Sequence, residues 1–173
     1  MNPILLVPGF WEGPTVYDKV ATLLQSDGFN TETVTLHSTG HKSPNNPSMK
    51  DDIAAIRAHV VELVEADMNV VLVLHSAGRF LGSNAIQDLE ASKRQAVGKK
   101  GRVTKIVFLT AAIFPEGFTH GPLPFAGECE SPFFTPFDDG GMTCITPEQL
   151  LLHDVPDKDK WLAALKPQPA RTT

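Results

Sequence analysis

The sequence predicts an α/β fold in which helices flank both faces of a doubly wound, mostly parallel sheet. Short apolar runs of strand length alternate along the chain with longer stretches whose apolar residues recur at helical spacing. The links between them are short, which favours right-handed crossovers between parallel strands. The chain has 173 residues, 42% of them hydrophobic and 20% charged. These values suit one compact domain with a sizeable core.

Residues 1–113 hold the predicted core, which consists of four strands and three helices. Gly28 closes the first helix, and the polar segment from His37 to Ser48 is a loop. The strands are predicted at Ile4–Val7, Thr31–Leu36, Val70–Leu74 and Val103–Leu109, and the helices at residues 15–27, 51–65 and 77–91.

Residues 114–165 differ in character from the core. The first part of this segment is rich in proline and phenylalanine and has no strong period, and short helical stretches follow near residues 147–153 and 157–165. The segment is too long for an ordinary connection, so we expect a cap or lid. Residues 166–173 are expected to form a C-terminal tail.

Composition argues against several classes of function. The balance of 15 basic and 20 acidic residues gives a net charge of −5, so we expect no nucleic-acid partner. The apolar run Ile4–Val7 is too short for a signal segment or a membrane span, and we expect a cytoplasmic protein without a membrane partner. Cys129 and Cys144 form no CxxC motif and have no nearby histidine. We therefore expect no metal, no cofactor and two free thiols, with a bridge between the two as the alternative.

The stretch VVLVLHSAGRF, residues 70–80, contains the candidate catalytic serine. Ser76 follows a buried strand and precedes a helix, with Ala77 and Gly78 as small neighbours. A strand that is followed by x-Ser-x-Gly and then by a helix is the arrangement of a nucleophile elbow. Leu74, however, stands where the usual pattern has its first glycine. The alternative interpretation is that Ser76 simply caps the helix.

A second element favours the nucleophile. The first strand ends in Pro8-Gly9-Phe10-Trp11, a tight turn that should lie beside the third strand. The backbone N–H groups of Phe10 and Ala77 would then point at a developing oxyanion, as acyl-transfer sites require.

Four segments together resemble the α/β-hydrolase superfamily: ILLVPGFWEGPTVYDKVATLLQSDGF, DDIAAIRAHVVELV, VVLVLHSAGRFLGSNAI and KIVFLTAAIFPEG. The most similar branch holds small esterase-like proteins related to plant methylesterases and hydroxynitrile lyases, abundant in fungi, which suggests secondary metabolism. The resemblance implies a nucleophile at Ser76, oxyanion donors at Phe10 and Ala77, and a cap formed by residues 114–165. Arg79 departs from the family pattern, which has a second glycine there.

The family places the acid and the histidine of the triad after two further strands, and this sequence ends where those strands would begin, so the resemblance implies a C-terminally shortened chain. His120 is the candidate base and Glu116 the candidate acid. His75 is better interpreted as a packed or hydrogen-bonded histidine. Other histidines near the expected sheet edge or in the cap are His37, His41 and His153.

Aromatic residues of the first turn and of the expected cap indicate the class of ligand. Trp11, Phe114 and Phe125 are the candidate substrate-binding side chains, and the implied ligand is a small hydrophobic ester or lactone. The same phenylalanines would also serve simply to close the cap onto the core.

Three functional hypotheses follow from these observations. The first is a serine-dependent hydrolase, and the second is a non-hydrolytic relative that binds or rearranges a small hydrophobic molecule. The third is an inactive truncated product, in which an exposed edge strand favours a homodimer through pairing of sheet edges.

Overall fold

The computed structural model describes residues 2–41, 46–111, 113, 134–136 and 140–169. It confirms the α/β fold class. Within these residues a four-stranded parallel sheet has the order β2-β1-β3-β4. Its strands are β1 (Ile4–Val7), β2 (Thr31–Thr33), β3 (Asn69–His75) and β4 (Arg102–Leu109).

Six α-helices and one 3-10 helix lie in the described residues. The 3-10 helix, Pro14–Tyr17, leads directly into the first α-helix. The α-helices are α1 (Asp18–Ser26), α2 (Met49–Glu65), α3 (Gly78–Ala85), α4 (Ala91–Ala96), α5 (Pro147–Leu150) and α6 (Lys158–Ala164).

A second, antiparallel sheet was not predicted from the sequence. It has the order β5-β6-β7, with β5 at Phe134–Pro136, β6 at Gly141–Cys144 and β7 at Gln168–Pro169. Strands of two to four residues are too short to show an alternating pattern. Cys144, on β6, is a buried free thiol whose pKa is raised by burial and then by the charge of Glu148. Cys129 lies outside the described residues.

Both faces of β1 are buried, as its continuous apolar run predicted. Leu5 and Val7 belong to the larger core cluster, which also contains apolar residues of α2 and α3. Ile4 and Leu6 face the opposite side, where they pack with Tyr17 and residues of α1. Helices therefore cover the sheet on both faces, and this makes the fold doubly wound.

The predicted helix over residues 77–91 is wrong in its second half. The helix ends at Ala85, and Asp88 adopts a left-handed conformation with a φ of 63°. The chain then returns to the sheet, where the carbonyl of Leu89 accepts a hydrogen bond from Val103 N at 2.8 Å. Leu89 is buried in the main core. Tertiary packing of this leucine thus overrides the local helical pattern.

The second strand is also shorter than predicted, since it ends at Thr33 rather than Leu36. Val34 and Leu36 nevertheless keep their side chains in the main core. None of the helices within the described ranges combines the length and the apolar content that crossing a bilayer requires.

Candidate active site

The loops that follow β1 and β3 meet at one edge of the sheet. Val7, the last residue of β1, pairs with Leu74 near the end of β3. From β1 the chain continues to β2 on one side, and from β3 it continues to β4 on the other. Such a switch point opens a crevice at the carboxyl ends of the strands, where α/β proteins bind ligands. The predicted turn beside the third strand is therefore present.

Ser76 occupies the sharp corner between β3 and α3. Its φ is 47°, a left-handed conformation that non-glycine residues rarely adopt. Its backbone N–H still donates to the carbonyl of Leu109 on β4 at 3.1 Å, while its side chain is exposed. The residue at the N-cap of α3 is Ala77, and no side chain caps the helix. The interpretation of Ser76 as a helix cap is therefore wrong.

Two glycines allow the two loops to approach each other closely. A Cβ atom at Gly78 would lie 2.5 Å from the carbonyl oxygen of Pro8 and 2.7 Å from that of Val7. A Cβ atom at Gly9 would lie 3.0 Å from the Cβ of Ser76. The elbow therefore packs directly against the backbone at the end of β1.

The amide groups of Phe10 and Ala77 belong to these two loops. Neither N–H donates a hydrogen bond to any of the described residues. Phe10 is half-buried and Ala77 is buried. Amides that have no acceptor within the described residues are able to donate hydrogen bonds to a ligand oxygen.

A glutamate and a histidine form a pair beside the elbow. Glu12 Oε2 lies 2.8 Å from His75 Nδ1 and accepts the Gly9 N–H at 2.8 Å. Both side chains are largely buried, with exposed fractions of 19% for Glu12 and 25% for His75. The interpretation of His75 as a hydrogen-bonded histidine is confirmed. Glu12 carried no signal in the sequence.

Trp11 connects the β1 loop to the segment that holds β6 and β7. Its indole N–H donates to the carbonyl of Met142 at 3.2 Å, and its backbone N–H donates to Gln168 Oε1 at 3.2 Å. The rings of Phe10 and Trp11 meet edge to face, with centroids 6.1 Å apart. Gln168 was also missed, since a single glutamine between two prolines has no distinctive pattern.

Arg79 and Tyr17 are the ionisable groups near the elbow whose pKa departs from its usual value. Arg79 is buried in the first turn of α3, its guanidinium carbon 3.6 Å from the centroid of the Phe80 ring. Burial lowers its pKa. The Tyr17 hydroxyl donates to the carbonyl of Val7 at 3.1 Å. Burial, and then the charge of Glu12, raise the Tyr17 pKa well above its ordinary value.

The remaining candidates fall into two groups. His120, Glu116, Phe114 and Phe125 lie outside the described residues. His37 and His41 are exposed, and His153 has a 68% exposed side chain. Within the described ranges no group of three or more His, Cys, Asp or Glu residues is placed to hold a metal ion.

The family model described as the alpha/beta hydrolase family matches residues 4–173. The chain belongs to the alpha/beta hydrolase family. The resemblance inferred from the sequence segments is thus confirmed.

Comparisons with individual alpha/beta hydrolases give distant similarity. The chain is 29% identical over 114 residues to Alpha/beta hydrolase nvfD of Aspergillus novofumigatus, a match that covers 66% of this chain and 44% of the relative. The chain thus spans less than half the length of the curated relatives that it matches.

Solved structures share the fold. A methylesterase from Arabidopsis has a TM-score of 0.67 at 18% identity, and the match covers 98% of this chain and 67% of that one. Tomato methylketone synthase I has a TM-score of 0.63 at 18% identity, covering 97% and 67%. At this level of identity the likeness concerns the fold alone.

Proposed function

We propose that this member of the alpha/beta hydrolase family is a serine-dependent hydrolase of a small apolar ester or lactone. One observation carries the proposal: the exposed Ser76 stands in a left-handed conformation at the end of β3, near two amides that donate to none of the described residues. A non-glycine residue held in this conformation costs about 1–3 kcal/mol and is typical of functional sites.

The reaction follows from these groups. Ser76 Oγ attacks the ester carbonyl carbon and loses its proton to a base, while the carbonyl π electrons move onto the oxygen. The N–H groups of Phe10 and Ala77 donate to the resulting oxyanion. Collapse of this intermediate expels the alcohol, which takes up the proton, and leaves an acyl-serine. Water then releases the acid by the same steps and regenerates Ser76.

The base and the acid are part of the proposal. His120 is the proposed base and Glu116 the proposed acid, both from the cap region. His75 is a poorer candidate, because it directly precedes Ser76 and consecutive residues at the end of a strand point to opposite sides. A histidine from a second chain, or from sequence that this chain lacks, is the alternative.

The substrate class rests on the aromatic residues of the loop and cap. Trp11 lies on the loop after β1, whose Gly9 packs against Ser76, and Phe114 and Phe125 belong to the phenylalanine-rich segment after the core. These side chains suit a small apolar acyl or alcohol group. A role in secondary metabolism is proposed only by analogy with fungal members of the family, one of which is the relative from Aspergillus novofumigatus.

Ester turnover tests the proposal. We expect wild-type protein to hydrolyse p-nitrophenyl acetate, and Ser76→Ala to abolish this activity without changing thermal unfolding. Ser83→Ala is the matched control, since Ser83 is an exposed serine on α3. Ester turnover by Ser76→Ala at the wild-type rate would contradict the proposal.

The buried Arg79 favours a second candidate, a non-hydrolytic relative that binds or rearranges a small hydrophobic molecule. A buried guanidinium three residues after Ser76 is able to orient a polar group of such a ligand. A fluorophosphonate probe separates the two candidates, because it reacts only with an activated serine. Labelling of Ser76 supports the hydrolase, and a protein that stays unlabelled supports the second candidate.

A further inference from the structure

Both backbone groups of Trp11 are held by the chain segment at residues 166–168. Its N–H donates to Gln168 Oε1 at 3.2 Å, and its carbonyl accepts the Lys166 N–H at 2.8 Å. Trp11 has a φ of 66°, so the loop adopts a conformation that its own sequence does not favour. Contacts from a distant part of the chain therefore stabilise this residue.

The amide of Phe10 lies between two anchored amides. On one side the Gly9 N–H donates to Glu12 Oε2 at 2.8 Å, and on the other the Trp11 N–H is bound to Gln168. The intervening Phe10 N–H itself donates to no described residue. Fixing the two neighbouring peptide groups limits the directions in which this N–H can point.

The orientation of the Gln168 carboxamide is set by a buried polar network. Gln168 is 1% exposed, its Nε2 donates to Ser38 Oγ at 2.9 Å, and its Oε1 also accepts from Thr39 Oγ1 at 2.8 Å. Ser38 Oγ donates in turn to Asp52 Oδ2 at 2.5 Å. Because a carboxylate only accepts, the Ser38 hydroxyl must accept from the amide nitrogen, which directs the Gln168 oxygen towards Trp11.

We infer that Gln168, together with the backbone of Lys166, is a positioning residue for the oxyanion-binding amide of Phe10. The inference rests on the proposed hydrolase function. It makes the segment after the cap region a part of the active-site machinery, since that segment fixes the loop that supplies one of the two donors.

A backbone substitution at an exposed position tests the inference without touching the buried network. Lys166→Pro removes the N–H that binds the Trp11 carbonyl, and the preceding Leu165, with φ −64° and ψ 140°, suits a residue before proline. Lys166→Ala keeps that N–H and is the matched control. We expect kcat for p-nitrophenyl acetate to fall about tenfold in Lys166→Pro, with KM within about twofold, because a misplaced donor loses part of the roughly hundredfold that a whole donor contributes. Lys166→Ala should match the wild type.

A second pair of variants tests the role of the Gln168 side chain. Gln168→Met keeps the size of the residue but removes the acceptor, whereas Thr39→Val removes a different donor to the same oxygen. We expect at least a tenfold fall in kcat for Gln168→Met and a change below about threefold for Thr39→Val. If Gln168→Met fails to fold, the Lys166 pair still decides the matter. A kcat within about twofold of the wild type in Lys166→Pro overturns the inference.

Amide hydrogen exchange separates failure of this inference from failure of the proposed function. We expect the Trp11 amide to exchange at least about tenfold faster in Gln168→Met than in the wild type, and to be unchanged in Thr39→Val. If the Trp11 amide of Gln168→Met exchanges at the wild-type rate, the positioning role is wrong, even if the wild-type protein hydrolyses the ester as proposed. Faster exchange in a protein without Ser76-dependent turnover shows instead that the proposed function has failed, and the catalytic role of Gln168 falls with it.

Discussion

Gly78 is the residue at which the first turn of α3 touches the end of β1. A side chain there would meet the backbone oxygens of Pro8 and Val7 at 2.5 and 2.7 Å, and neither oxygen is at the end of a flexible group. The two loops can therefore lie this close only because Gly78 has no Cβ atom. Their spacing in turn sets the position of Ser76 relative to the Phe10 amide.

Gly78→Ala should destabilise the protein by about 1–3 kcal/mol, because overpacking forces the backbone to shift. It should also lower turnover more than stability explains, since the shift moves Ser76. Gly13→Ala is the matched control, because a Cβ there meets nothing within 4 Å. Urea unfolding and ester turnover measure both effects. Equal stability of the two variants would contradict the close approach.

Tyr17 is the one tyrosine of the chain and a direct probe of the packing below β1. Its folded-state pKa is raised, first by burial and then by Glu12, so the unfolded chain ionises first. The stability that it contributes is complete below about pH 10 and is lost as the pH rises further, by about 1.4 kcal/mol per pH unit. We expect tyrosinate absorbance to appear only together with unfolding. Ionisation of Tyr17 in folded protein near pH 10 would disagree with this packing.

The residues of the candidate site divide into those that local sequence predicts and those that it does not. Ser76 and the amides of Phe10 and Ala77 follow from strand ends and small neighbours that are adjacent in sequence. Glu12 contacts His75, which is distant in sequence, and Gln168 contacts Trp11 because β7 returns to the β1 loop. Such contacts depend on tertiary structure, which no spacing in the sequence reveals.

At the scale of elements, α2 begins with a complete capping box. Ser48 Oγ accepts the Lys50 N–H at 3.2 Å, and Asp51 Oδ2 accepts the Ser48 N–H at 2.7 Å. Asp52, one residue further along, accepts from Ser38 in the buried network. The start of this helix therefore also fixes the network that orients Gln168.

Ser48→Ala should lower the free energy of unfolding by about 1 kcal/mol, the usual cost of removing a helix cap. Lys50→Ala is the control, because it keeps the backbone N–H that the cap receives. Denaturant unfolding at a single pH measures both variants. A Ser48→Ala variant as stable as Lys50→Ala would argue against the capping box.

The elements that the sequence predicted well are strands whose apolar residues follow one another without interruption. β1 and β3 are apolar runs, and their pattern alone indicates strands. The end of α3 was misplaced because Asp88 and Leu89 leave the helix to reach the sheet. β5, β6 and β7 were missed because such short strands are stabilised by their partners rather than by their own composition.

At the scale of the whole molecule, β4 is an edge strand of the described parallel sheet. Val107 and Leu109 on this strand are 40% and 41% exposed. Within the described ranges no strand pairs with the outer side of β4, and an edge strand with exposed apolar side chains favours pairing with another chain. We propose that two copies associate through this edge.

Light scattering over a range of concentrations should show a reversible dimer. Val107→Lys should weaken it, because a charge on the edge strand opposes pairing. Val97→Lys is the matched control, since Val97 is 73% exposed and precedes β4. A mass that stays monomeric at every concentration would rule out the dimer.

The proposed function depends on Ser76 being a nucleophile that faces two oxyanion-binding amides. The most direct measurement is a crystal structure of the protein after treatment with a fluorophosphonate. We expect phosphorus bonded to Ser76 Oγ, with the phosphoryl oxygen about 2.7–3.1 Å from the nitrogens of both Phe10 and Ala77. An adduct on another residue, or a phosphoryl oxygen turned away from both amides, would contradict it.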